Sequence, residues 1–160
     1  MHFLFRCSPN PKVDLDFIHS GVAEGAELAC GGDLLVRQGG GFFLEPALFL
    51  DVKPHMRIYR EEIFGPVLSV LKVKNYEEAF AAAEDTPFGL SAGIVTTSLK
   101  YAEHFKRNSS AGMVMVNLPT AGVDYHVPFG GNRASSYGPR EQGTYAREFF
   151  TKVKTNYQLS

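Results

Sequence analysis

Residues 67–116 read VLSVLKVKNYEEAFAAAEDTPFGLSAGIVTTSLKYAEHFKRNSSAGMVMV. The segment opens on the β-branched and apolar run Val67 to Val73, the texture of a strand buried on both faces. Asn75 followed by Glu78 makes a capping-box-like helix start. Tyr76, Ala79, Phe80 and Ala83 then fall on one helical face. Gly89 closes the return, Ala92 to Thr96 reads as a second strand, and Ser98 caps a helix whose Leu99, Ala102 and Phe105 share a side. Met113 to Val116 is a third strand. Strands alternating with helices of about ten residues imply right-handed βαβ crossovers, hence a parallel sheet covered on both faces. The predicted fold class is α/β, a parallel sheet built from βαβ units.

Upstream, Leu15, Ile18, Val22, Ala26 and Ala29 recur at steps of three and four, with Asp14 and Asp16 in the first turn and Gly31-Gly32 beyond the end. The spacing predicts a helix over 14–29. Gly39-Gly40-Gly41 opens a turn before a strand at Phe42-Phe43-Leu44; a second strand runs through Phe49-Leu50, and a polar loop follows from Asp51 to Glu62. Downstream, Leu118 to Gly131 contains Pro119, Gly122, Pro128 and Gly130-Gly131, too irregular for a regular element and long enough to suggest function. A helix is predicted around Glu141 to Phe149. Phe150 to Tyr157 then alternates like a strand with one polar face, able to pair outside its own domain.

With 160 residues, 44% of them hydrophobic, and a net charge of −1, the chain has the composition of one globular unit or a piece of a larger one. It lacks the basic face that displaces counterions from nucleic acid, and no apolar run approaches the roughly 18 residues a membrane span requires. Met1 to Arg6 has no basic region before its short apolar stretch and does not read as a signal peptide, so a cytoplasmic location is expected. Cys7 and Cys30 are too few for a disulfide framework, and the five histidines lack ligand spacing, so no metal site is expected. The phosphate-cradling, nucleophile-elbow and zinc-protease signatures are all missing.

The strongest local feature is Arg60-Glu61-Glu62-Ile63-Phe64-Gly65-Pro66-Val67. Adjacent side chains of an extended stretch point oppositely, so at most one of the two acids faces a pocket while the other meets solvent or a basic partner. A carboxylate can accept two hydrogen bonds from vicinal hydroxyls, the arrangement that holds a ribose. From the residues alone, a charged loop beside a strand is the better reading.

EEIFGPVLSV at 61–70, EEAFAAAEDTPFGLSAGIVT at 77–96, AGMVMVN at 111–117, VPFGG at 127–131, GPREQG at 138–143 and VKT at 153–155 occur in order. This succession closely resembles the C-terminal third of the NAD(P)-dependent aldehyde dehydrogenase superfamily, over residues 12 to 158. AGVDYHVPFGG and SSYGPREQGTYAREFFTKVKT are most similar to its α-ketoglutaric semialdehyde dehydrogenase branch, which oxidises 2,5-dioxopentanoate.

The resemblance implies that Glu62 holds the nicotinamide ribose hydroxyls and that Phe64 positions the nicotinamide, with NAD or NADP as cofactor. It places Phe129 in a substrate tunnel, with Val123, Tyr125 and His126 at its mouth; a core anchor behind the double glycine is the other reading of Phe129. Asn117 falls at an architectural position of the family. The family's attacking cysteine, general base and Rossmann domain have no counterpart here: Cys30 matches a helix-to-turn position and neither cysteine has the nucleophile's surroundings. No catalytic residue is therefore expected among these residues. Asn132-Arg133-Ala134 departs from the family's usual turn after the double glycine. The implied organisation is an unrelated start over 1–11, a partial catalytic domain over 12–142, and a C-terminal helix and oligomerisation strand over 143–160. The expected partners are a small aldehyde and, through that strand, a second copy of the chain. A non-catalytic assembly subunit and a degraded gene product are the alternatives.

Overall fold

The computed structural model describes residues 5–6, 11–36 and 41–159. Cys7, Gly39 and Gly40 lie outside the described residues, as does most of the stretch 1–11. The chain divides into two compact units, Met1–Lys74 and Asn75–Ser160.

The first unit contains β1 (Phe5–Arg6), α1 (Pro11–Ala23), β2 (Glu27–Cys30), β3 (Leu34–Leu35), β4 (Phe43–Leu44), β5 (Ala47–Leu50), α2 (Arg57–Arg60) and β6 (Val67–Ser69). One small sheet has the order β1-β4-β3, with antiparallel pairing throughout. The other has the order β2-β5-β6, in which β2 runs antiparallel to β5 and β5 parallel to β6. Phe17 and Ile18 of α1 pack with Leu44, Phe49, Val52 and Ile58 in one apolar core. Phe49 and Val52 have no exposed surface.

The helix predicted over 14–29 ends at Ala23. Gly25, at φ +94°, takes the left-handed conformation. Its N–H donates to Val22 O and that of Ala26 to Gly21 O, satisfying the last turn's carbonyls in a Schellman arrangement. The chain is therefore released six residues before Gly31, and Leu28, Ala29 and Cys30, expected on the helix or at its exit, belong to β2. Gly25 rather than Gly31-Gly32 is the stop.

The second unit contains α3 (Tyr76–Glu84), β7 (Ser91–Ile94), α4 (Leu99–Asn108), β8 (Met113–Val116), two 3₁₀ turns (Arg133–Ser135 and Gly143–Tyr145) and α5 (Ala146–Phe150). Both predicted caps form: Asn75 accepts from the N–H of Glu78 and Ser98 from that of Tyr101. β7 and β8 pair in parallel from Ser91↔Met113 to Ile94↔Val116. Ala102 and Phe105 are the buried face of α4 between them.

The architecture is mixed α/β with small sheets in place of the single parallel sheet predicted. A crossover returning to its own sheet occurs at β7–α4–β8, whereas α3 leads out of the sheet of β6 into that of β7. The parallel pairings are thus β5–β6 and β7–β8, in separate sheets. The helix predicted from Glu141 is delayed to Ala146 because Glu141 is held extended by reciprocal backbone bonds with Phe129, and Gln142 and Gly143 both have positive φ. The terminal strand predicted over 150–157 is not formed: residues 151–159 are exposed and assigned to no strand. Alternation alone supplies no ladder partner. Among the described residues, no helix is long and apolar enough to cross a membrane, and no cluster of three His, Cys, Asp or Glu side chains could hold a metal ion.

Phe49→Ala removes the central ring of the first unit's core and is expected to cost about 3–5 kcal/mol. The check is the urea midpoint, which should fall without a change in slope.

Candidate functional site

The turn after α2 is built from α1 outward. Glu24, just past the end of α1, accepts hydrogen bonds from Ser20 Oγ (2.7 Å) and from the backbone N–H of Arg57 (2.6 Å), the first residue of α2. The Ser20 and Arg57 hydrogen bonds, helped by the nearby charges of His55 and Arg57, hold the Glu24 carboxyl below its ordinary range. Arg57 in turn lies over the ring of Phe17, 3.9 Å from its centroid, and its Nε donates to Glu61 at 3.1 Å. One acid of the Glu61-Glu62 pair is thereby assigned to a basic partner, as alternation in an extended stretch requires. Glu62 is exposed.

Phe64 follows in the left-handed region at φ +57° and is 85% exposed. A non-glycine residue in that conformation costs about 1–2 kcal/mol, and an aromatic ring left in solvent recovers none of it by burial. Gly65 explains why the turn is tolerated in this form. A Cβ at Gly65 would sit 2.3 Å from Asp14 Oδ1, and Asp14, on α1, is 2% exposed. The backbone must pass against a buried carboxylate, and only glycine permits the approach. Beyond it, Pro66 O accepts from the N–H of Ala47, placing Val67 at the start of β6. The result is a presented pair: a carboxylate acceptor and an apolar ring, two residues apart on a sterically fixed turn.

In the second unit, Asn117 follows β8 at φ +55°. Its Oδ1 accepts from the N–H of Thr96 (2.8 Å) and its Nδ2 donates to Thr96 O (2.9 Å). The side chain thus mimics one more rung of the ladder beyond Ile94↔Val116 and fixes where the loop departs. Along the loop, Val123 is half-buried while Tyr125 and His126 are exposed, their rings in edge contact at 5.6 Å. Phe129 is half-buried and bridged to Glu141 through both backbone groups.

The far end of the loop is held by a network that motif reading did not identify. Arg133 Nη1 donates to the carbonyls of Glu84 (2.9 Å) and Thr86 (2.7 Å), and its Nη2 to the Glu84 carboxylate (3.0 Å). That carboxylate also accepts from Ser109 Oγ, the Ser110 N–H and Ser110 Oγ. Burial pushes the Glu84 carboxyl up, but the hydrogen bonds from Ser110 and Ser109 and the Arg133 charge outweigh it and hold the group below its ordinary value. Arg140 donates to Gly131 O and to Asn132 Oδ1, and Ser136 Oγ accepts from the Gly131 N–H. The departure at Asn132-Arg133-Ala134 is therefore a second anchor. One signal was available: Glu84 ends α3, where an acid opposes the helix dipole and so needs a cationic or donor partner.

Cys30 is an exposed thiol at the end of β2. Glu62 and Phe64 belong to the first unit, and Val123, Tyr125, His126 and Phe129 to the second. Within the second unit Tyr125 and His126 meet each other, whereas Phe129 is tied to Glu141.

The aldehyde dehydrogenase family model matches residues 12–156. Alpha-ketoglutarate semialdehyde dehydrogenase of Haloferax volcanii is 45% identical over 146 residues, covering 89% of this chain and 30% of that protein. Betaine aldehyde dehydrogenase of Brucella melitensis biotype 2 is 44% identical over 156 residues, covering 96% of this chain and 31% of its own length. The solved structure of P. syringae indole-3-acetaldehyde dehydrogenase in complex with NAD+ and IAA superposes with a TM-score of 0.84 at 40% identity, over 90% of this chain and 29% of that one. The chain spans about 30% of the length of the curated relatives it matches.

Two outcomes follow from the geometry. Gly65→Ala should lose about 1–3 kcal/mol by overpacking against Asp14, read as a lowered urea midpoint. For Glu84, a carboxyl titrating lower in the folded than in the unfolded chain adds stability above the unfolded value, and that stability disappears as pH falls through the folded one. Backbone amides of 84–89 and 129–133 should therefore lose hydrogen-exchange protection as pH drops below 4.5. Glu84→Gln should flatten that dependence.

Proposed function

This chain belongs to the aldehyde dehydrogenase family, and from that premise we propose that it supplies the C-terminal part of an enzyme oxidising 2,5-dioxopentanoate to the carboxylate with NAD+ or NADP+. The observation that carries the cofactor role is the exposed Glu62–Phe64 pair on its sterically fixed turn. The Glu62 carboxylate would accept hydrogen bonds from two vicinal ribose hydroxyls, and the Phe64 ring would position the nicotinamide. The strain of a left-handed phenylalanine left in solvent fits a ring kept for a ligand. The cofactor, when bound, supplies the hydride acceptor.

On this reading Phe129 lines the substrate tunnel, and Val123, Tyr125 and His126 its mouth. The loop that bears them is fixed at one end by Asn117 and at the other by Arg133 and Arg140. The dioxopentanoate assignment rests on the branch-like AGVDYHVPFGG stretch and on relatives named for that substrate. Residues 12–142 form part of the catalytic domain. Residues 143–160 serve assembly: Val153, Tyr157 and Leu159 fall at same-parity positions of a solvated segment that pairs with no strand among the described residues. A second copy supplies the partner strand. These 160 residues carry no thiolate nucleophile in family surroundings, so the chain alone is expected to turn over no aldehyde.

The test is Glu62→Gln in the complete enzyme. Loss of charge-assisted hydrogen bonds to the ribose is worth about 1.5–3 kcal/mol, roughly tenfold to a hundredfold in the hydride-transfer rate. A deuterated aldehyde should show a larger isotope effect in the variant. Rates and isotope effects matching the parent enzyme would overturn the assignment, as would aldehyde turnover by the 160-residue chain.

A further inference from the structure

The tip of the long loop in the second unit is docked on the turn that opens the C-terminal segment. The Val127 N–H donates to Asp124 O (3.2 Å), folding residues 124–127 into a turn that carries Tyr125 and His126. Two residues further on, Phe129 and Glu141 exchange backbone hydrogen bonds of 2.7 and 2.8 Å. The Gly143 N–H reaches back to Tyr125 O at 3.4 Å. The loop therefore meets residues 141–143 backbone to backbone, both at its tip and at Phe129.

The approach is close enough to exclude a side chain. A Cβ at Gly143 would stand 2.5 Å from His126 O and 3.1 Å from His126 C, and Gly143 is left-handed at φ +54°. Glycine meets both demands. Gln142, beside it, is held at φ 66° and ψ 167°, a region that glycine alone ordinarily occupies. Its Oε1 is enclosed and meets no hydrogen-bond donor among the described residues. Strain and an unmet acceptor at one residue persist only where the contacts around it over-determine the backbone. Those contacts are the Phe129–Glu141 bridge before Gln142 and the Ala146 N–H, which donates to Gln142 O, after it.

We propose that Gly143 is a specificity-determining positioning residue: the lack of a side chain there sets where Tyr125 and His126 stand, and so the opening through which an aldehyde enters. The inference rests on the reading of Val123, Tyr125 and His126 as the mouth of a substrate tunnel. Gly143 acts through the His126 backbone and not on the aldehyde itself. A methyl group at 143 displaces the His126 carbonyl, while the paired backbone bonds to Glu141 hold Phe129, so the tip moves more than Phe129 does. An aldehyde long enough to occupy the mouth while its carbonyl reacts is affected by that movement. A short one, lying wholly inside, is not.

The test is Gly143→Ala, with Gly138→Ala as its matched control: Gly138 is also left-handed, at φ +86°, but a Cβ there meets nothing within 4 Å. In the 160-residue chain, Gly143→Ala should shift the amide resonances of Tyr125, His126 and Val127 more than that of Phe129, and Gly138→Ala should leave the tip resonances in place. In the complete enzyme, Gly143→Ala should raise the KM for hexanal about tenfold relative to that for propanal, with the KM for NAD+ unmoved. Nuclear Overhauser contacts between the Gly143 α-protons and Val127 in the unsubstituted chain test the docking even where a variant does not fold. Their absence, or tip resonances that stay in place in a folded Gly143→Ala chain, overturns the inference itself. Displaced tip resonances with an unchanged ratio of the two aldehyde KM values overturn the tunnel reading, and the inference with it.

Discussion

A buried carboxylate pressed against a backbone with no side chain governs the first unit's presentation of its motif. Asp14 is enclosed on α1, and its oxygen occupies the space that any Cβ at Gly65 would need. The chain leaving α2 must cross α1 at that one point. Because the crossing is fixed, the residues immediately before it have little choice of direction: Glu61 turns to Arg57, Glu62 faces solvent, and Phe64 is carried into a left-handed conformation. Because it is fixed, Pro66 also arrives where its carbonyl can take the Ala47 N–H and open the parallel pairing of β5 with β6. Presentation of the motif and initiation of the strand share one steric cause.

The second unit solves a similar problem by polar means. Its long loop leaves a parallel pair of strands and has no regular structure of its own, so its ends must be held. Asn117 does this by imitating a peptide group against Thr96, a role needing both an acceptor and a donor at short reach. Aspartate lacks the donor, and glutamine places both groups one methylene farther out. At the other end Arg133 spreads its planar donors over two carbonyls and a carboxylate, a fork that a lysine ammonium cannot reproduce. Glu84 gathers donors from two serines as well, which explains an acid placed against the dipole of its own helix.

Much of this was legible in the sequence, and the boundary of legibility is physical. Caps at Asn75 and Ser98 were readable because they are local: the acceptor and the N–H it satisfies are three residues apart. Backbone alternation allowed one acid of the Glu61–Glu62 pair to meet a basic partner, and Glu61 does so at Arg57 while both acids stay exposed. The early end of α1 was present in Gly25 but masked by an apolar period that runs on through Ala26 and Ala29; Ala26 is buried as the residue that closes the turn, and not as a helical one. The antiparallel β2–β5 pairing, the Asp14–Gly65 approach and the Glu84–Arg133 network join residues tens of positions apart, and no local pattern specifies which distant group will arrive. Alternation over 150–157 describes a strand pattern but cannot create a ladder without a second strand, and residues 151–159 form none here.

The two kinds of anchor also differ in what can loosen them. The Gly65 crossing is maintained by excluded volume, which neither dilute acid nor salt alters directly, so its geometry holds wherever α1 stays folded. The Arg133 anchor draws on a carboxylate that side-chain hydroxyls, one backbone N–H and a guanidinium keep ionised, and protonation of that one group weakens several contacts together. Arg133 and Glu84 are both partly solvated, so salt screens their attraction as well. A chain built this way keeps its carboxylate-and-ring turn rigid across conditions while the loop bearing Tyr125, His126 and Phe129 remains adjustable. On the proposed reading that division suits the two tasks: a cofactor would be the same molecule in every turnover, whereas a substrate loop would have to admit one molecule and release another.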